Sequence, residues 1–246
     1  WADDLYMSVP FLANMGVLTG DNKYFDDAVK QVLQIAERLY IPEKELFDHG
    51  WNVTAGDYNP RFYWGRASGW TLMAMAELLG ILPEDYQGRD RIMHIYRSVI
   101  RSLAGLQDGT GFWHNMLDKT NTFLETSCTA MITFAVAKGI NEDWISHIYG
   151  PVALTGWNAI TTRVLENGAV EGSCGGTTFA HDNTYYYHRG TSIRATHGYG
   201  PVLYAGAEMI RLLQNEKIDV QIARINARNS TFHYRLKSEW PEKEIP

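Results

Sequence analysis

Helices built almost wholly of apolar and small residues alternate along this chain with helices of ordinary amphipathic character. The first kind covers Leu5 to Leu18, Ala67 to Leu82 (with Ala74, Ala76 and Gly80), Thr126 to Lys138 and Thr196 to Asn215. The second begins after Asp21, a capping residue, where Phe25, Val29, Val32, Leu33, Ala36 and Leu39 keep helical spacing. It returns over Arg89 to Leu106, with Arg91, Arg97 and Arg101 on one side and Ile92, Ile95, Tyr96, Val99, Ile100 and Leu103 on the other. A third such helix covers Glu142 to Glu166, with a break expected at Gly150-Pro151. A helix apolar all round must be packed on both sides, whereas an amphipathic one covers a core on one face. Two concentric layers satisfy both demands, with the small-residue helices inside. The expected fold is therefore an all-α toroid of helical hairpins, an α/α toroid, forming a single domain over residues 1–246.

Each inner helix opens on a polar and aromatic cluster. These are Trp1-Ala-Asp-Asp-Leu-Tyr-Met-Ser8, Trp64-Gly-Arg-Ala-Ser-Gly-Trp70, Phe123-Leu-Glu-Thr-Ser127 and Thr196-His-Gly-Tyr-Gly200, spaced by roughly sixty to seventy residues. Folding alone gives little reason for a polar start on a buried helix. If the four helices point the same way, these starts line one pocket. Short alternation marks the connections: Glu45 to Thr54, a hairpin over Gly109 to Asp118, and a peripheral strand pair in the tail around Thr231 to Leu236.

Several of these segments, in this order, resemble the unsaturated rhamnogalacturonyl and glucuronyl hydrolases of glycoside hydrolase families 105 and 88. Asp3-Asp-Leu-Tyr-Met-Ser-Val-Pro-Phe11 is similar to their Asp-x-Leu-Tyr/Phe-Met-x-x-Pro-Phe signature. The likeness continues in Phe47-Asp-His-Gly-Trp51, Trp64-Gly-Arg-Ala-Ser-Gly-Trp70, Gly111-Phe-Trp-His114 and Leu124-Glu-Thr-Ser127, with weaker echoes at Gly172 to Thr177 and His197 to Gly200. The Leu-Tyr-Met form and the Trp-Gly-Arg segment bring it nearer to the rhamnogalacturonyl enzymes. The resemblance implies a six-hairpin (α/α)6 toroid. Against that fold the chain reads as its C-terminal part, with about five N-terminal helices missing.

The resemblance also implies a reaction and a class of source, bacterial breakdown of pectin-derived polysaccharide. The substrate would carry a 4,5-unsaturated uronic acid at its non-reducing end. A proton goes to C4 of the enol-ether double bond, water adds at C5, and the hemiketal opens to release the next sugar. One carboxyl group can serve as donor and then as base, and the family's acid corresponds to Asp3. Substrate-binding positions carried over are His49, Arg66, Trp70, Trp113 and His114, with Trp1 and Tyr6 beside the acid.

The residues themselves speak to these roles. Asp3 or Asp4 could simply cap the helix, yet only one cap is needed. Trp1, Tyr6 and Met7 would desolvate a carboxyl and favour its protonated form, while the helix N-terminus favours the anion. Arg66 and Trp70 share one helix face. An arginine at a helix N-terminus opposes the dipole, a conflict that a substrate carboxylate or a nearby protein carboxylate resolves. Glu125 and Ser127 open the third inner helix, where Thr126 or Ser127 would cap it. Tyr185 to His188 reads as pocket wall or loop packing. Histidines 49, 114 and 197 lack metal-ligand spacing, and neither metal nor organic cofactor is implied.

Two rival readings stand beside the main one. An ordinary inverting glycosidase would need a second acid, for which Glu125, Asp48 and Asp118 are candidates. A non-catalytic sugar-binding remnant would need none. A net charge of -6 without a basic stripe argues against nucleic acid, and no run reaches the ~18 apolar residues of a membrane span. Cys128 and Cys174 are read as free thiols. The sequence starts at Trp1 and shows no signal peptide, but a removed one would leave no trace, so bacterial cytoplasm and periplasm both stay open. An open toroid would leave apolar flanks on the first helix, so self-association across that edge, or marginal stability, is expected.

Overall fold

The helical periodicities resolve into α1 (Asp4–Thr19), α2 (Lys23–Leu39), α3 (Gly65–Leu79), α4 (Arg89–Gly105), α5 (Thr126–Asn141), α6 (Gly150–Thr161), the short α7 (Asn183–Tyr187) and α8 (Thr196–Gln214). The computed structural model describes residues 1–55 and 60–215, and the backbone of two further strands at 218–226 and 229–236. Short antiparallel pairs join the helices: β1 (Tyr40–Ile41) with β2 (Leu46–Phe47), and β3 (Trp113–His114) with β4 (Leu124–Glu125). The tail forms the expected strand pair, β5 (Ile218–Asn226) against β6 (Asn229–Leu236), with Ile218 opposite Leu236. Among the described residues no helix is long and apolar enough to cross a membrane.

Local chemistry sets most boundaries. Gly20, at φ 68°, closes α1 in the left-handed region that favours glycine, and the Asp21 carboxylate accepts the Lys23 N–H at 3.0 Å to start α2. One expectation needs correction. Residues 142–149 do not belong to a long helix with a break at Gly150-Pro151; that dipeptide begins α6. Proline fits the first turn, where its missing N–H would have had no helical partner. Before it, Asp143 takes a positive φ of 57° and Ser146 caps a single 3-10 turn at His147–Tyr149.

The two layers are as the composition predicts. Helix α1 packs on α3, α3 on α5 and α5 on α8, giving an inner row; α2, α4 and α6 lie outside it. Every residue of α3 except Glu77 is buried, and α5 is buried but for Lys138 and Asn141. Small residues make that row close-packed. A Cβ on Gly65 would lie 2.9 Å from Cys128 Sγ, and one on Gly69 would lie 2.7 Å from Met131 Sδ, so α3 and α5 meet nearly backbone to backbone. The end helices bury one face only. Helix α1 leaves Met7, Phe11, Val17 and Leu18 exposed, and α8 leaves Leu203, Ile210 and Leu213 exposed.

Candidate active site at the converging helix starts

The four inner helices begin at the same end. Tyr6 of α1 stacks on Trp70 of α3 (4.7 Å between centroids, 27° between planes), and Trp70 meets His197 of α8 edge-on at 6.5 Å. Arg66 of α3 reaches Ser127 of α5. The charges that act on half-buried His197 come from Arg66, Asp3 and Glu125, one from each of the other three starts. Burial first, then the Arg66 charge, lowers the His197 pKa below the ordinary histidine value, which favours a neutral imidazole.

Asp3 is not a cap. Its backbone is already helical (φ −58°, ψ −30°), and its carboxylate makes no capping hydrogen bond. Its Oδ2 instead lies 3.4 Å from His49 Nε2, and neither atom has a hydrogen-bond partner among the described residues. His49 itself is fully buried, with Nδ1 2.7 Å from the Tyr186 hydroxyl. The backbone locks this pair together, since the Ala2 N–H donates to the His49 carbonyl at 2.9 Å. Gly50 permits the crossing: a Cβ there would lie 2.9 Å from the Phe179 ring and 3.1 Å from that of Trp1. Trp1, half exposed, has its ring 6.0 Å from the His49 ring and forms the open wall of the site. Asp4 is exposed.

Arg66 is placed differently from its expected role. It is 1% exposed, with Nη1 donating to the Cys174 carbonyl at 2.5 Å and Nη2 to the Gly175 carbonyl at 2.6 Å. Its guanidinium also lies over the Trp64 ring at 4.5 Å. It therefore faces backbone carbonyls where a substrate carboxylate was expected. The protein carboxylate that balances it is Glu125, 3.9 Å away and fully buried. Glu125 accepts from the Ser127 hydroxyl (2.7 Å) and from the N–H groups of Cys128 (2.5 Å) and Cys174 (2.7 Å). Glu125, rather than Thr126 or Ser127, caps α5, because the β4 strand brings its extended backbone to the cap position. Arg66 and Glu125 together clamp the segment 173–175 over the helix starts.

Two further candidates sit apart from Asp3. Trp113 is fully buried between layers, its indole N–H donating to the Leu103 carbonyl at 2.8 Å and its backbone N–H to Thr129 Oγ1. Sequence expects a substrate contact of it; in the structure its hydrogen bonds run to the interior. His114 is also buried and gives its Nδ1–H to the Thr122 carbonyl at 2.6 Å, leaving Nε2 3.8 Å from Asp108. Both hold the β3–β4 pair beneath α5. Trp70 is only 9% exposed because Tyr6 covers one face, so Tyr6 stands between it and the opening.

The rival second acids are accounted for similarly. Glu125 is fully buried, with both carboxylate oxygens accepting hydrogen bonds from Ser127, Cys128 and Cys174. Asp118 pairs with Lys119 at 3.0 Å. Asp48 is buried with its Oδ1 on the Phe62 N–H at 2.5 Å, and desolvation pushes its pKa up to about 6. Tyr186 falls in the Tyr185 to His188 stretch that sequence reads as pocket wall or loop packing, without a role of its own. It enters on the short helix α7, which Asp182 starts by accepting the Thr184 N–H at 2.7 Å. The Asp-x-Thr spacing ahead of three tyrosines was the available signal.

Comparison with known proteins agrees with this architecture. Residues 1–213 match the family model described as Glycosyl Hydrolase Family 88. The unsaturated 3S-rhamnoglycuronyl hydrolase of Alteromonas sp. (strain LOR) is 33% identical over 176 residues, which cover 69% of this chain and 42% of that protein. The unsaturated rhamnogalacturonyl hydrolase YesR of Bacillus subtilis (strain 168) is 30% identical over 177 residues, covering 72% of this chain and 50% of YesR. The chain thus spans about half the length of these curated relatives. Among solved structures, one described as a possible member of the GH105 family, from Salmonella enterica, superposes with a TM-score of 0.82 at 27% identity. That match covers 86% of this chain and 56% of the other. The fold is the α/α toroid type of these proteins.

Proposed function

The chain belongs to Glycosyl Hydrolase Family 88, and from that premise we propose that it removes a 4,5-unsaturated uronic acid from the non-reducing end of rhamnogalacturonan-type oligosaccharides. The observation that carries this reading is the Asp3 carboxylate, free of any capping duty and set 3.4 Å from buried His49 at the meeting point of the helix starts. Asp3 protonates C4 of the enol ether, and the resulting carboxylate then takes a proton from the water that attacks C5. The C5 hemiketal opens and the next sugar leaves. A single carboxyl suffices, which agrees with a site where Glu125 is fully engaged. The names of both relatives join rhamnose to a uronyl group, and this supports rhamnose as the sugar released. His49 orients the acid, Trp1 and Tyr6 offer ring faces to the sugar, and Arg66 with Glu125 holds the 173–175 wall. Incubation with an unsaturated galacturonyl-rhamnose should abolish the absorbance of its conjugated double bond and release rhamnose. Hydrolysis of the saturated analogue at equal rate would overturn the proposal in favour of an ordinary glycosidase, and binding without turnover would overturn it in favour of a sugar-binding protein.

The partner of the exposed α1 edge is read as a second copy of the chain. Met7, Phe11 and Leu18 share one exposed side of α1, with Val17 exposed on another, and covering apolar surface gains about 25 cal/mol per Å². Sedimentation should show concentration-dependent association that Phe11→Glu with Leu18→Glu abolishes. A monomer at all concentrations would exclude it.

A further inference from the structure

We propose that Tyr186 is a positioning residue that holds His49 in its Nε2-protonated tautomer, so that an imidazole N–H faces Asp3. The argument is an accounting of donors around a ring sealed from water. His49 is fully buried, with the rings of Trp64, Tyr186, Trp1 and Phe179 within 4.6 to 6.0 Å of it. Among the described residues its two nitrogens have one polar neighbour each: the Tyr186 hydroxyl at Nδ1 and the Asp3 carboxylate at Nε2. The Tyr186 oxygen already accepts the Ala180 N–H at 3.3 Å. Among the described residues Nδ1, 2.7 Å away, is the one hydrogen-bond acceptor beside its own proton, which then occupies that lone pair. The ring proton must sit on Nε2. The other tautomer would set the Nε2 lone pair against Asp3 Oδ2 at 3.4 Å, which is repulsive whenever Asp3 is ionised.

Tyr186 is suited to be the fixed donor. Burial raises its pKa, with the charges of Tyr185, Asp48 and Asp3 acting in the same sense, so the phenol keeps its proton. The ring is anchored independently of the hydroxyl, packing at 4.8 Å on Phe62, and its carbonyl accepts the Asn115 amide at 2.9 Å. The consequence for catalysis rests on the function proposed above. When Asp3 has given its proton to C4, the carboxylate left behind meets a ready N–H donor. A histidine free to choose its tautomer would supply that donor only part of the time.

The test has a readout independent of turnover. Nitrogen-15 chemical shifts of the His49 imidazole, read at a pH where the ring is neutral, should show Nε2–H in the wild-type protein. In Tyr186→Phe, which keeps the ring, they should move towards a mixture of tautomers. With an unsaturated oligouronide, kcat of Tyr186→Phe should fall about tenfold, the scale of one lost hydrogen bond, with KM changed less than about twofold. A wild-type ring protonated at Nδ1 would overturn the inference without any variant. So would a Tyr186→Phe protein with unaltered tautomer and unaltered kcat. If no unsaturated sugar is turned over, the proposed function fails while the shifts still decide the tautomer.

Discussion

Asp3→Asn is expected to lower turnover of an unsaturated oligouronide by about a hundred- to ten-thousand-fold, the range that a general acid–base group contributes. Asparagine keeps the size of the side chain and an oxygen for His49 Nε2, but has no proton to give to C4. KM should change little, because the rings of Trp1 and Tyr6 and the wall over Arg66 are untouched. Stability should change little too, since the Asp3 carboxylate caps nothing. Asp4→Asn is the control. Asp4 is exposed, and its replacement should leave turnover near normal. Steady-state kinetics of both variants, on the full chain, make the comparison. Near-normal turnover in Asp3→Asn, or a greater loss in Asp4→Asn, would show that the acid lies elsewhere.

The second large effect concerns stability. Glu125→Ala removes a buried carboxylate that satisfies three donors and faces the buried Arg66 guanidinium at 3.9 Å. Deleting one partner of a buried ion pair leaves the other charge uncompensated, at a cost of about 3–5 kcal/mol. Denaturant unfolding should show that loss as a lowered midpoint. Glu125→Gln should cost less, because one oxygen remains, although its amide nitrogen must then oppose an N–H donor. The contrast also bears on mechanism. If Glu125→Ala unfolded like the wild type yet had lost activity, Glu125 would be a second catalytic acid and the clamp reading would fail.

The two roles expected at one helix start came apart for a physical reason. Arg66 at the start of α3 signalled an anion nearby, and the anion is present, but it is Glu125 from a different helix start, 59 residues later in the chain. Sequence shows that such a charge needs a partner. It does not show which of several carboxylates arrives, because that depends on the distance between helices. The same holds for Trp113 and His114, whose neighbours look like a sugar site but whose hydrogen bonds end on Leu103 and Thr122 in the interior.

What the amino-acid sequence by itself determined is the set of properties that are local in the chain. The alternation of small-residue and amphipathic helices sorted α1, α3, α5 and α8 from α2, α4 and α6, because burial on one face or on both is written at each helix's own spacing. The stop at Gly20 and the cap at Asp21 are likewise decided within a few residues. Tertiary structure alone decided what meets across long separations. His49 and Tyr186 are 137 residues apart and lie on a loop and a five-residue helix with no periodicity to announce them. Their 2.7 Å contact exists because the inner helices begin at one end and draw their loops into the same space. A side chain's type limits the chemistry it can perform; the packed layers choose the atom it performs it on.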